Sequence, residues 1–170
     1  MTLPVAEFKV YTGASGATES PTGGATNINL MNTDAYDTTG SMFQTSLIPI
    51  PVSGTSYSYE RIFRLKVTGI FNLIDNIKVW KSTGDLSDSH LVIAAAVSTT
   101  ASTPVKTASA IATTTIPVTE GTALDATPSG GITASPGYTK YVYLQLQVPT
   151  TVTVFGQVGV HTIAVQYDIT

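Results

Sequence analysis

Three stretches of the chain alternate apolar and polar side chains with a period of two. From Glu60 to Thr68, Phe63, Leu65 and Val67 fall on one side and Arg64, Lys66 and Thr68 on the other. From Tyr138 to Val148, Val142, Leu144, Leu146 and Val148 oppose Tyr141, Tyr143, Gln145 and Gln147. From His161 to Ile169, Ile163, Val165, Tyr167 and Ile169 oppose Thr162, Ala164, Gln166 and Asp168. This period predicts strands with one buried face. At helical spacing the same residues would scatter charge around the axis. After the first stretch Gly69 bends or weakens the strand. Asp75-Asn76 reads as a turn. Ile77, Val79 and Trp80 then open a second apolar run that shares the core with the first.

The remaining pattern is shorter. Leu3 to Tyr11 reads as a strand whose start is confined by Pro4 to an edge or a lead-in. Residues 12–26 contain no apolar side chain larger than Ala, which predicts a flexible loop or the hinge of an arm. Asn27 to Met31 alternates as a short strand, and residues 32–40 are turn-rich. Leu47 to Val52 is extended, and its two prolines confine it to an edge. Leu91 to Val97 is short and continuously apolar, and its Val and Ile favour a strand. Residues 98–136 are of low complexity, with a strand over Ile111 to Ile116 and a long loop from Glu120 to Gly137. Pro149 ends the second strong strand, and a brief alternation from Thr151 to Phe155 is broken by Gly156 and Gly159. The count is about eight or nine strands with no helix, which predicts an all-β, antiparallel β-sandwich of jelly-roll or Ig-like type, with a β-barrel as alternative. The expected organisation is an N-terminal strand and flexible arm over 1–26 and a single sandwich domain over 27–170. The arm either reaches a neighbouring subunit or pairs within its own sheet.

Composition narrows the function classes. The chain has 170 residues, 42% of them hydrophobic and 11% charged. That charged share is less than half of the roughly 25% usual for soluble domains. Thr, Ser and Gly carry the polarity instead, as expected equally for a surface held within an assembly and for an ordinary secreted β-domain. The net charge of −3, with no dense Lys/Arg patch, argues against nucleic acid. The absence of cysteine excludes disulfides, thiolate nucleophiles and Cys-ligated metals. No signal peptide and no membrane-length apolar run is visible, so synthesis in a cytoplasm is expected.

No catalytic, cofactor-binding or metal-binding residue is assigned. Ser89-His90 lies in a loop and His161 far along the chain, without the G-x-S-x-G of a nucleophile elbow. The carboxylate pairs Asp34/Asp37 and Asp85/Asp88 lack calcium-loop spacing and read as turn formers. Glu7, Glu19, Glu60 and Glu120 do not recur at short spacing, although a glycosidase can assemble distant carboxylates. Tyr57, Tyr59, Tyr141 and Tyr143 lie in or beside strong strands, where they either pack across strands or form an outward row for a sugar or protein partner. Glycines 13, 16, 23 and 24 are followed by neither a helix nor G-K-[ST], so no phosphate loop is expected.

The block Y-E-R-I-F-R-L-K-V-T-G-I-F-N-L-I-D-N-I-K-V-W-K-S-T-G-D, Tyr59 to Asp85, resembles a recurrent block in small virion proteins of tailed bacteriophages. The likeness extends to the A-T-T-x-I-P run, Ala112 to Pro117, and to the closing Q-Y-D, Gln166 to Asp168; the first fifty-odd residues fall outside it. The resemblance implies a non-enzymatic structural component of a virion assembled in host cytoplasm. The implied role is a capsid decoration or cement protein that forms a homo-oligomer and binds the major capsid protein or another virion protein. No cofactor, nucleic acid or membrane enters that role. The alternative is a head- or tail-fibre or spike adhesion module for host carbohydrate or protein.

Overall fold

A computed structural model describes residues 4–21, 24–25, 28–37, 46–153 and 160–170. Within them the chain forms strands β1 (Val5–Thr12), β2 (Thr18–Ser20), β3 (Thr55–Tyr57), β4 (Arg61–Thr68), β5 (Ile74–Thr83), β6 (Val92–Ser98), β7 (Thr114–Thr115), β8 (Leu124–Asp125), β9 (Gly137–Tyr138), β10 (Tyr141–Pro149) and β11 (Thr162–Ile169). Among the described residues, single-turn 3-10 helices occur at Ala14–Gly16 and Glu120–Thr122.

The strands make two antiparallel sheets. The larger runs β2-β1-β4-β10-β6-β7, with β3 added to β10 and β9 to β4; the smaller runs β11-β5-β8. The two sheets are not closed into a barrel. They share one core, so the fold is a β-sandwich. Phe63, Leu65 and Val67 of β4, Val142, Leu144, Leu146 and Val148 of β10, and Ile93 and Ala95 of β6 face Ile74, Ile77 and Val79 of β5. Ile163, Val165 and Tyr167 of β11 pack against them, half-buried. Each large apolar side chain enclosed this way contributes about 1.5–3 kcal/mol. The alternation in β4 and β10 therefore reports the true core face. The run after Gly69 crosses to the other sheet, and Gly69, at φ 115, makes the bend.

Several expectations need correction. For the N-terminal strand, of the two readings left open, pairing within its own sheet is the one found. β1 lies between β2 and β4 and pairs with β4 from Val5↔Thr68 to Tyr11↔Ile62. Phe8 and Val10 face the core, which is where a strand without its own domain would have nothing to gain. The Gly/Ser/Thr stretch after it turns through the first 3-10 helix and returns as β2, with Tyr11 opposite Glu19. The sandwich thus includes this segment, and the boundary near residue 26 is not a structural one; residues 1–3, 22–23 and 26–27 lie outside the described residues.

Asn27 likewise lies outside the described residues, and 28–31 form no strand. Met31 is instead a buried plug whose carbonyl accepts a hydrogen bond from Tyr59 N at 2.9 Å. Residues 47–52 are in no strand, because Pro49 and Pro51 offer no N–H to a ladder. Ile48 and Ile50 still pack on the core while Leu47 and Val52 face solvent. Asp75-Asn76 is no turn between strands but a bulge within β5. Asn76 takes φ 47 and its Nδ2 donates to Asp168 Oδ2 at 2.9 Å. Ile169 is 43% exposed rather than inward. The alternation proposed for Thr151 to Phe155, and Gly156 and Gly159, falls wholly or partly outside the described residues.

Candidate functional site

The side of the large sheet turned away from the core carries the polar set of each alternating strand. It divides into a covered half and an open half. The covered half lies over β6 and β10. There Tyr143 and Gln145, which alternation alone assigns to solvent, are fully buried. Residues 99–113 fold across them. Tyr143 Oη donates to Thr100 O at 3.0 Å and accepts from Ser102 N at 2.7 Å. Gln145 Oε1 accepts from Ser109 N at 3.0 Å, and its Nε2 donates to Ser58 O, Val105 O and Thr107 O at 3.0, 3.3 and 2.8 Å. Glu60, also buried, accepts from Val105 N at 3.2 Å and from the Ser109 hydroxyl. Ser109 Oγ in turn accepts from Ile111 N and Ala112 N. A segment without hydrophobic periodicity is thus held by satisfying its main chain from side chains of the sheet. Beneath it Tyr11, Ile62, Ala94, Ala112 and Tyr143 form a second small apolar cluster.

The open half lies over β1, β4, β9 and β10. Its centre is Arg64. The guanidinium carbon stands 3.9 Å from the ring centroid of Tyr138, 4.4 Å from Tyr141 and 4.9 Å from Tyr11. Tyr11 and Tyr141 meet edge to face at 5.2 Å. Arg64 Nε donates to Tyr11 Oη at 2.8 Å, and Tyr11 Oη donates to Glu19. Burial and the Glu19 carboxylate push the Tyr11 hydroxyl well above the usual phenol range, so it stays a neutral donor. Lys66 sits 5.7 Å from the Tyr138 centroid and 3.7 Å from Glu19. Beyond them Lys9 is buried, pairs with Glu7 at 2.9 Å and donates to Pro21 O at 2.8 Å. Its hydrogen bond and charge hold the Glu7 carboxyl below the ordinary range.

This is a half-exposed platform rather than a pocket. Cation–π contact and the Tyr11 bond hold Arg64 in one orientation. Among the described residues Tyr11 is its only hydrogen-bond partner, so the terminal Nη groups remain available to a ligand or partner. Tyr and Arg presented rigidly on a sheet are the residue types that anchor protein interfaces. Of the two readings of Tyr57, Tyr59, Tyr141 and Tyr143, the outward row of these four is not what assembles. Tyr143 is buried, Tyr57 lines a separate open cleft with Lys106, and Tyr141 joins Tyr11 and Tyr138 instead. Sequence pattern places Arg64 outward but does not bring together rings from three strands. The signal that does so is strand order, with Lys66 opposite both Glu7 and Tyr138.

Several of the other candidate residues have structural partners. Asp88 is buried and clasps two loops, accepting from His90 N at 2.9 Å and Thr153 N at 2.8 Å, with His90 Nδ1 at 2.7 Å. These bonds hold its carboxyl far below the usual range. Asp85 is exposed and does not join it. His161 lies against Gly84, and no hydrogen bond joins either imidazole to a serine among the described residues. Asp34 accepts from Gly13 N at 2.9 Å and lies 3.7 Å from Arg61 Nη1, while Asp37 accepts from Asn29 Nδ2 at 3.1 Å. Arg61 is buried, and desolvation lowers its pKa to about 10 against the pull of Asp34. Its donors reach Asn29 O at 2.5 Å and Thr33 O at 2.6 Å, so it fastens the 28–37 segment. Glu120 pairs with Lys78 at 3.7 Å. Among the described residues no three His, Asp or Glu side chains gather as metal ligands. Among the described residues no helix is long and apolar enough to cross a membrane.

Compared with protein-family models, curated proteins and solved structures, the chain matches none.

Proposed function

We propose that the protein is a non-enzymatic structural component of a tailed-bacteriophage virion, a capsid decoration protein that bridges and stabilises neighbouring capsid subunits. The observation that carries this reading is the open platform of Arg64 with Tyr138 and Tyr141, backed by the buried Tyr11, on the outer face of the large sheet. Its rings and guanidinium are already ordered, so docking a second protein costs little side-chain entropy. The resemblance of Tyr59 to Asp85 to small virion proteins supports the particle context. The charge-poor composition, with 11% of all residues charged, suits a chain that works inside an assembly.

In this role the energy comes from surface buried between subunits, about 1,200–2,000 Å² for a stable contact, with a few residues at its centre dominating. Arg64, Tyr138 and Tyr141 are those residues, and Lys66 and Glu19 form the polar rim. The acting partner is the major capsid protein or another virion protein. The specific test compares phage particles assembled with and without this chain. Electron microscopy is expected to show surface density only with the chain, and particles without it are expected to rupture at lower temperature. Equal density and equal rupture temperature would overturn the role.

The half-buried rings of Tyr138 and Tyr141 also favour a second reading, an adhesion module whose platform stacks on host carbohydrate. That reading predicts binding to isolated glycans without any capsid protein present.

A further inference from the structure

We propose that β11 is a self-association edge, along which two copies of this chain pair antiparallel about Gln166 and join their small sheets into one continuous sheet. The inference is independent of the role in a particle and stands or fails by itself.

β11 lies at the end of the small sheet, paired with β5 on one side and with no strand on the other among the described residues. The other sheet ends are short: β2 has three residues, and β7 and β8 two each. β11 has eight residues, without Pro, Lys or Arg. Those are the devices that usually keep an edge from pairing. Both register shifts against β5 insert the extra residue in β5, so β11 itself is regular.

The direction of its main-chain groups follows from the pairing. Thr170 N donates to Leu73 O at 3.0 Å, and Thr170 O accepts from Asn72 N and Leu73 N. Ser82 Oγ also reaches Thr162 O. Main-chain groups alternate along a strand. The even residues therefore turn theirs to β5, and Ile163, Val165, Tyr167 and Ile169 present N–H and C=O at the open edge.

A second β11 fits that edge in one register particularly well. Antiparallel pairing about Gln166 sets Ile163 against the second copy's Ile169 and Val165 against its Tyr167, each pair exchanging two main-chain bonds. Ile169, 43% exposed in the single chain, then meets an apolar partner. On the outer side Ala164 meets Asp168, Thr162 meets Thr170 and Gln166 meets Gln166. The one charged residue of the strand is kept away from its own copy. A parallel pairing, or an antiparallel one about Asp168, would bring like charges together.

The test uses the whole chain, which has no cysteine of its own. Sedimentation velocity over a concentration series is expected to show a reversible transition from 17.8 kDa to twice that mass. Gln166→Glu places two carboxylates at the axis, while in the single chain it gains Lys78 opposite on β5. It is expected to weaken dimerisation about tenfold or more, with recovery in high salt. Gln166→Cys is expected to form a disulfide dimer under mild oxidation, because directly opposed residues that do not exchange main-chain bonds lie about 4.5 Å apart at Cα. Thr162→Cys, opposite Thr170, is expected not to cross-link to itself. A protein that stays monomeric to its solubility limit overturns the proposal. So does a dimer that Gln166→Glu leaves intact and Gln166→Cys fails to trap.

Discussion

Gln145 in β10 and Thr107, 38 residues earlier, are joined by a 2.8 Å hydrogen bond from Nε2 to the carbonyl oxygen. With its companions to Ser109, Val105 and Ser58, this bond fastens the least patterned stretch of the chain onto the large sheet. Replacing Gln145 by Leu keeps the volume but strands several buried main-chain groups. Each stranded group costs about 1–3 kcal/mol. The expected outcome is a loss of at least that size in urea denaturation, with new proteolytic cleavage between residues 99 and 113. Unchanged stability and protection would show that the loop is held by something else.

The core assignment is checked by truncation. Leu65→Ala and Leu144→Ala, both buried, are expected to cost about 2–5 kcal/mol each. Val52→Ala, at a fully exposed position, is expected to stay within about 0.5 kcal/mol of the parent. Urea midpoints of the three variants, with slopes compared, decide this.

Two glycines separate steric need from tolerance. A Cβ on Gly137 would stand 1.9 Å from Ile132 Cγ2 and 2.7 Å from Ala134 O, whereas one on Gly121 meets nothing within 4 Å. Gly137→Ala is therefore expected to lower the melting temperature by several degrees, since β9 must shift off β4. Gly121→Ala is expected to be neutral. Equal melting temperatures for the two variants would contradict the packing of β9.

Asp88 gives the domain an acid-labile clasp. Donors from His90 and Thr153 depress its carboxyl pKa in the folded protein relative to the unfolded chain. Its contribution is therefore complete above about pH 4 and is lost as pH falls below that value. Asp88→Asn is expected to lower stability at neutral pH and to flatten the decline between about pH 4 and pH 2. Denaturation curves across that range check it; parallel declines in the two proteins would remove Asp88 from the account.

How far the sequence was legible follows from what each segment buries. β4 and β10 carry one apolar and one polar row each, so their core faces are read directly, and the sandwich follows. The polar row of β10 is half misread, because Tyr143 and Gln145 are covered by a Thr/Ser/Ala segment that offers main-chain groups rather than apolar side chains. Periodicity has no term for such a cover. The N-terminal segment misleads in the opposite way. Residues 12–20 lack large apolar groups, yet Gly13 N to Asp34 and the Tyr11–Glu19 bond close the hairpin. The alternation of β11 shows its faces but not its place at a sheet edge. Arg64 is legible as outward-facing. Its three tyrosines are not, since β1, β9 and β10 are each distant from β4 in sequence and become its neighbours only through strand order.

The central claim is that the Arg64 platform docks the protein on a repeating capsid surface. Saturation binding of the purified chain to phage particles assembled without it measures this directly, using wild type, Arg64→Ala and Tyr141→Ala, with melting curves to establish that the variants fold. Wild type is expected to saturate at a fixed copy number per particle. Each folded variant is expected to bind about thirtyfold more weakly, the loss of a central anchor of about 2 kcal/mol. Wild type that does not bind, or folded variants that bind as tightly as wild type, would contradict the account.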